Sequence, residues 1–158
     1  MIVALAGGVG GAKMAHGLSL ALASEAAALT VIVNTGDDFD HYGLRICPDL
    51  DTVLYTLAGL VHPDQGWGVA SDGTRALQML KRLGAADTWM TLGDSDLGLH
   101  LHRTARLAQG ATLTEVVREV AQRLGVAVSV LPPSNDAVPT VIDTAEGRLR
   151  FQQWFVER

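Results

Sequence analysis

Asp37, Asp38, Asp49 and Asp51 fall within one stretch, NTGDDFDHYGLRICPDLDT, that runs from Asn34 to Thr52. The stretch holds five aspartates, a histidine and an arginine, directly after an apolar run. Carboxylates gathered in one connection suit a hard cation, which takes oxygen ligands. Mg²⁺ fits because it also bridges phosphates. A second cluster, GGVGG from Gly7 to Gly11, separates an apolar run from a helical one. Glycine admits positive φ and lets backbone approach a ligand closely. The helix N-terminus that follows offers free N–H groups and partial positive charge to a phosphate. Lys13 adds a cation in the first helical turn. Phosphate or nucleotide contact is therefore expected at the glycines, with the aspartates nearby.

A third cluster comprises Asp94, Asp96, His100 and Arg103. A helix that starts near Asp96 puts His100 and Arg103 four and seven residues on, along one face. Their expected target is a phosphate or a flat ring. Neither glycine motif of nucleotide sites matches fully. Gly8 and Gly10 begin the dinucleotide fingerprint, but Lys13 stands where its third glycine belongs. Lys13 also lacks the preceding glycine and following Ser/Thr of a P-loop. Asn34 stands where an NAD site wants an acid, with Asp37 three residues later, so an NAD-binding domain stays open as an alternative.

The elements that must position these groups read in order. IVALA, Ile2 to Ala6, is apolar throughout and suits a strand buried on both faces. AKMAHGLSLALAS follows the glycines as a helix, and LTVIVN is a second strand. This is a βαβ unit with a right-handed crossover. TVLYTLAGL is a helix, with Asp51 placed to cap it. TRALQMLKRLG is a helix that ends at Gly84. TLTEVVREVAQRLG opens with a capping box, Thr112 and Glu115. VAVSVL, TVIDT and RLRFQQWFV read as strands, the last two joined by a turn around Glu146 and Gly147. As a strand, RFQQWFV carries Phe151 and Phe155 on one face and Trp154 and Val156 on the other. Both faces then want cover, which predicts an exposed apolar patch at Trp154 and Phe155. The fold class is α/β: a Rossmann-like open sheet, mainly parallel, with helices on both faces and a short β-hairpin near the C-terminus. Residues 1–158 read as one domain.

Seventeen acidic against twelve basic residues argue against nonspecific nucleic-acid binding. No apolar run is long enough to span a membrane. The single cysteine, Cys47, allows no internal disulfide and fits a reducing compartment, so a cytoplasmic protein is expected.

The motifs GGVGGAKMAHGL, VIVNTGDDFDHYGLRICPDLDTVLYTLAGL, GWGV, LGDSDLGLHLHRT, GATLTEV, LPPSND and FQQWFV, in that order along the chain, resemble the 2-phospho-L-lactate transferase family. The resemblance implies a Mg²⁺-dependent transfer in coenzyme F-420 biosynthesis. A phospholactyl or enolpyruvyl-phosphate group moves from a guanosine-diphospho donor to the deazaflavin Fo, and GMP is released. It implies Asp37, Asp38 and Asp51 as catalytic groups, with Asp37, Asp38, Asp49 and Asp51 around the metal. Gly8, Gly10, Gly11, Lys13, Asn34, Thr35, His41, Asp94, Asp96, His100 and Arg103 are the implied substrate contacts. Ser95 replaces an arginine of the family pattern, and Gly98 and Leu99 replace an Ala-Thr pair. The likeness covers the N-terminal half of family members. A homo-oligomer, or pairing with a C-terminal half, is therefore expected. A non-catalytic paralogue that binds Fo or a nucleotide is the other alternative.

Overall fold

Ile2–Ala6 form strand β1, and Leu29–Val33 form β2 parallel to it. The computed structural model describes residues 1–23, 28–86, 88–145 and 147–157. Helix α1, Gly8–Ala21, connects the two strands and begins inside the glycine run rather than after it. Gly11 explains the early start. A Cβ there would meet the Ala6 Cα at 2.9 Å, so α1 reaches β1 only through a glycine. The expected helix end at Ser24 lies outside the described residues.

Strand β5, Ser129–Leu131, pairs parallel with the far side of β2 and gives the order β1-β2-β5. The fold is α/β with a parallel sheet, as the alternation of elements predicts. Ala4, Ala6, Leu29, Val31, Val33 and Val130 are all buried, and the register places them on one face. They form one core with α1, α2 (Pro48–Leu57) and α5 (Leu113–Arg123). The opposite face carries Val3 and Leu5, which are 50% and 75% exposed.

The capping box of α5 forms as its sequence predicts. Thr112 Oγ1 accepts from Glu115 N at 3.2 Å, and Glu115 Oε2 accepts from Thr112 N at 2.7 Å. Helix α2 corrects an expectation. It starts at Pro48 with Cys47 at the N-cap, so Asp51 lies within the first turn instead of capping it. Proline at the first helical position, where its missing N–H is no loss, sets that boundary. The aspartate stretch is also more than a connection. Its middle folds as a hairpin, β3 (Phe39–His41) and β4 (Leu44–Ile46), around Tyr42 and Gly43, both at positive φ. Two such residues make the turn that matches strand twist.

Helices α3 (Arg75–Arg82) and α4 (Asp94–Ala108) follow. The C-terminal hairpin joins β6 (Val141–Thr144) to β7 (Gly147–Arg150); Glu146, in its expected turn, lies outside the described residues. The strand expected over RFQQWFV is a helix instead, α6 (Phe151–Glu157). Phe151, Trp154 and Phe155 fall at i, i+3 and i+4, a helical spacing, and their rings pack together at 5.8–6.4 Å between centroids. The exposed patch is present: Trp154 is 39% exposed and Phe155 67%. Thr140 N donates to Gly36 O at 2.6 Å and Arg150 Nη1 to Asp40 O at 2.5 Å, which lays this segment on the aspartate stretch. No described helix is long and apolar enough to cross a membrane.

Candidate active-site cleft

The carboxyl ends of β1 and β2 run into Gly7–Gly8 and Asn34–Asp38, the end at which open α/β sheets bind ligands. A cleft of about 660 Å³ opens there. Gly8, Asp37, Asp49, Asp51, Asp96 and His100 reach it, together with Tyr55, Trp67, Trp89 and Phe155. Trp67 arrives on a loop seated tightly against the glycine turn. A Cβ at Gly66 would lie 2.7 Å from Val9 Cγ1, and Gly66 sits at φ +74.

Asp49 leans on the start of α1. A Cβ on Gly7 would lie 3.0 Å from Asp49 Oδ2, and one on Gly8 3.5 Å from Oδ1. Asn34 Nδ2 donates to Asp49 Oδ2 at 2.9 Å and fixes the carboxylate there. Gly11 N is already bonded to Gly7 O, which leaves the N–H groups of Gly8, Val9 and Gly10 as the helix's free donors. A phosphate at those donors would face the Asp49 carboxylate, a repulsion that a divalent cation between the two anions would offset. Asp37 shares this corner. Burial, and next the charge of Asp49, raise its carboxyl above the usual range.

The other two aspartates belong to a buried network. Arg103, only 1% exposed, grips Asp51 through both terminal nitrogens: Nη1 donates to Oδ2 at 3.2 Å and Nη2 donates to Oδ1. Nη1 also donates to Arg45 O at 3.2 Å. Burial alone would lower Arg103, but Asp51 more than offsets it and the guanidinium stays charged. His100 Nδ1 lies 3.6 Å from Asp51 Oδ2, and burial pushes the imidazole down to about 4. Asp38 is pushed up to about 7, chiefly by burial, against the opposing pull of Cys47 and Arg103. Its Oδ1 has no hydrogen-bond partner among the described residues. Burial also holds the Cys47 thiol protonated. Among the described residues no three His, Cys, Asp or Glu side chains gather as a ligand set for a metal. The four aspartates instead divide into Asp37 with Asp49 and Asp38 with Asp51.

The remaining candidates fall in different places. Gly10 and Lys13 are exposed on α1 outside the cleft lining, and Gly11 is a packing contact. Thr35 is buried just after β2, and its Oγ1 has no hydrogen-bond partner among the described residues. His41 packs among the rings of Phe39, Tyr42 and Trp89. Asp96 is half-buried and raised by that burial, with the Tyr55 hydroxyl beside it.

Asp94 has another partner. It accepts from Arg75 N and Ala76 N at 3.1 and 3.0 Å, and so caps α3. Asp72 returns the favour to α4: it accepts from Ser95 N at 2.9 Å and from Ser95 Oγ at 2.9 Å. Two glycines make room for the exchange, since a Cβ on Gly73 would strike Asp94 and one on Gly93 would strike Asp72. Sequence reasoning missed Asp72, although Asp72-Gly73 mirrored by Gly93-Asp94 carries the signal. It also missed Tyr55, Trp89 and Phe155, which no spacing marks. Asp72→Ala is expected to lower stability by about 1–2 kcal/mol, as loss of a helix cap does. A urea midpoint equal to that of the parent would refute the capping role.

A parallel α/β sheet with a glycine turn, an acidic corner and an aromatic-lined cleft at its carboxyl end defines a Rossmann-like α/β fold. The family model described as 2-phospho-L-lactate transferase CofD matches residues 2–158, and the chain belongs to that family. It is 42% identical over 159 residues to a phosphoenolpyruvate transferase of Kitasatospora aureofaciens, covering 98% of this chain and 49% of that protein. It is 41% identical over 158 residues to a 2-phospho-L-lactate transferase of Methanopyrus kandleri, covering 99% of this chain and 49% of that protein. The chain spans about half the length of the curated relatives it matches.

Proposed function

We propose that this chain supplies the acidic half of a transferase site. The reaction moves a phospholactyl or enolpyruvyl-phosphate group from a guanosine-diphospho donor to the hydroxyl of the deazaflavin Fo, with release of GMP. The observation that carries this reading is the Asp49 carboxylate held beside the free N–H groups of α1. That corner binds a phosphate only with a cation present, which is the need of a diphosphate donor. Asp37 and Asp49 would hold Mg²⁺. The residues fit, because Mg²⁺ takes one or two carboxylates and fills its remaining positions with phosphates and water. When bound, the ion neutralises phosphate charge.

The chain's own groups do the rest by positioning, which supplies most of the catalysis in phosphoryl-type transfer. The amides of Gly8 and Val9, which line the cleft, would point partial positive charge at the phosphate. Asn34 keeps Asp49 in place. Asp51, clamped by Arg103, and Asp96 line the same cleft and would orient the attacking hydroxyl. Trp67 and Trp89 offer ring faces to the flat deazaflavin.

Fluorescence titration of Fo and calorimetric titration of GDP, each with and without Mg²⁺, test the reading. GDP is expected to bind only with the metal present, and Fo to bind in its own right. Equal GDP affinity with and without Mg²⁺, or no response to Fo, overturns it. Asp49→Asn is expected to weaken Mg²⁺ binding roughly tenfold, since ligand charge sets affinity at such sites. Unchanged binding of the metal in calorimetry would remove Asp49 from the set.

A further inference from the structure

Arg103 does not itself reach a ligand in the cleft, because it is buried almost completely and lies outside the cleft lining. It is held rigidly. Both backbone groups of Arg45 are bound to α4: the N–H donates to Thr104 Oγ1 at 2.8 Å, and the C=O accepts from Arg103 Nη1 at 3.2 Å. The guanidinium also grips both oxygens of Asp51. One further neighbour remains. Nη1 lies 3.4 Å from Nδ1 of His100, three residues earlier on the same helix.

A guanidinium carries N–H donors only, so the ring nitrogen that faces it must offer a lone pair. The rival arrangement puts a proton on Nδ1 and donates it to Asp51. Nδ1 lies 3.6 Å from Asp51 Oδ2, beyond hydrogen-bond range, and that proton would press against those of Nη1. The proton of the neutral ring therefore sits on Nε2, because the hydrogen bond at one ring nitrogen sets the state of the other. Nε2 lies on the far side of the ring and has no hydrogen-bond partner among the described residues. His100 lines the cleft, so this N–H is offered there.

The surroundings decide what such a donor takes. Asp51 lies beside it, and Asp96, four residues earlier on α4, lines the same cleft. Two carboxylates oppose a phosphate at this wall. A neutral oxygen, hydroxyl or carbonyl, accepts from Nε2–H without that repulsion. We propose that Arg103 is a positioning residue: it fixes His100 as the Nε2–H tautomer, which donates to a neutral oxygen of the acceptor molecule. The tautomer is a property of this chain alone, whereas its target rests on the transferase reading above.

Nitrogen-15 shifts of the imidazoles report the tautomer in the ligand-free protein at about pH 7.5, where an ordinary histidine is neutral. The spectrum of His100→Gln assigns the signals. Nε2–H is expected to outnumber Nδ1–H by about tenfold, and a majority of Nδ1–H overturns the proposal. Arg103→Met/Asp51→Leu is expected to lower that ratio by about threefold or more. Loss of the Asp51 acceptor alone would raise the ratio, so a fall reports Arg103, and an unchanged ratio overturns its positioning role.

Fluorescence titration of Fo reads the target. His100→Gln carries an N–H donor at about the reach of Nε2 and should stay within about threefold of the parent, while His100→Leu should bind Fo about tenfold more weakly. Calorimetry of GDP with Mg²⁺ is expected to show no comparable loss in either variant. Fo that binds the parent and His100→Leu equally well overturns the assigned target and leaves the transferase reading standing. A parent that does not respond to Fo overturns that reading and the target together.

Discussion

Arg103→Met is expected to cost about 3–5 kcal/mol of folding stability, the penalty for leaving a buried charge without its partner. Arg103 is almost wholly enclosed and holds both oxygens of Asp51. Its removal strands Asp51, itself buried, and takes away the cation that opposes the raised carboxyl of Asp38. Methionine fills much of the volume, so the loss reports charge rather than a cavity. The double variant Arg103→Met/Asp51→Leu removes both charges and should recover most of the loss, because a buried pair is worth little against apolar replacements. Urea unfolding of the parent, both singles and the double closes the cycle. A single-variant cost below about 1 kcal/mol would mean the pair is hydrated and the buried reading is wrong.

The second large effect is a cancellation that single substitutions unmask. Asp38 has a folded value of about 7 against an ordinary value of 3.8. Between those limits the folded state binds the extra proton, so this group makes stability fall as pH rises from about 4 to about 7. His100 has a folded value of about 4 against 6.5. There the unfolded state binds the extra proton, and stability rises with pH across about 4 to 6.5. Each contributes up to about 3–4 kcal/mol, at roughly 1.4 kcal/mol per unit. In the parent the two slopes oppose each other. Asp38→Asn should therefore show stability climbing from pH 4 to 6.5, and His100→Gln should show it falling from pH 4 to 7. Asp37 and Asp96, raised by burial, and Asp94 and Glu115, lowered by backbone amides, are present in all three proteins, so the two slopes are read as differences from the parent. Denaturant curves in chelator at half-unit pH steps give the profiles. Parallel profiles for the two variants would show that neither group is shifted.

What the sequence revealed and what it concealed follow the range of the interactions. The βαβ start and the Thr112–Glu115 box are local, so spacing alone displayed them. Helix α6 is also local, but its aromatic residues favour a strand by composition, while Phe151, Trp154 and Phe155 sit at helical spacing. Asp51 reads as a cap only if α2 begins after it; the helix begins at Pro48 instead. Its true partner, Arg103, lies 52 residues away, and no periodicity connects the two. Packing made the same difference among the aspartates. Four carboxylates in one stretch look equivalent as letters, yet the fold sets Asp37 and Asp49 at the glycine turn and pairs Asp51 with the buried Arg103.

The exchange of caps between Asp72 and Asp94 has a consequence for how this region opens. Neither α3 nor α4 can fray from its N-terminus alone, because the carboxylate that secures each start is anchored beside the other. Asp94 N also donates to Gly73 O at 2.8 Å, which ties the two starts a third time. The chain between the two tied starts therefore comprises α3 and the residues that follow it up to Gly93. Trp89 projects into the cleft from these residues. Local unfolding here is an all-or-none event that releases both helix starts and Trp89 together, so amides of the two first turns should exchange with one shared opening free energy.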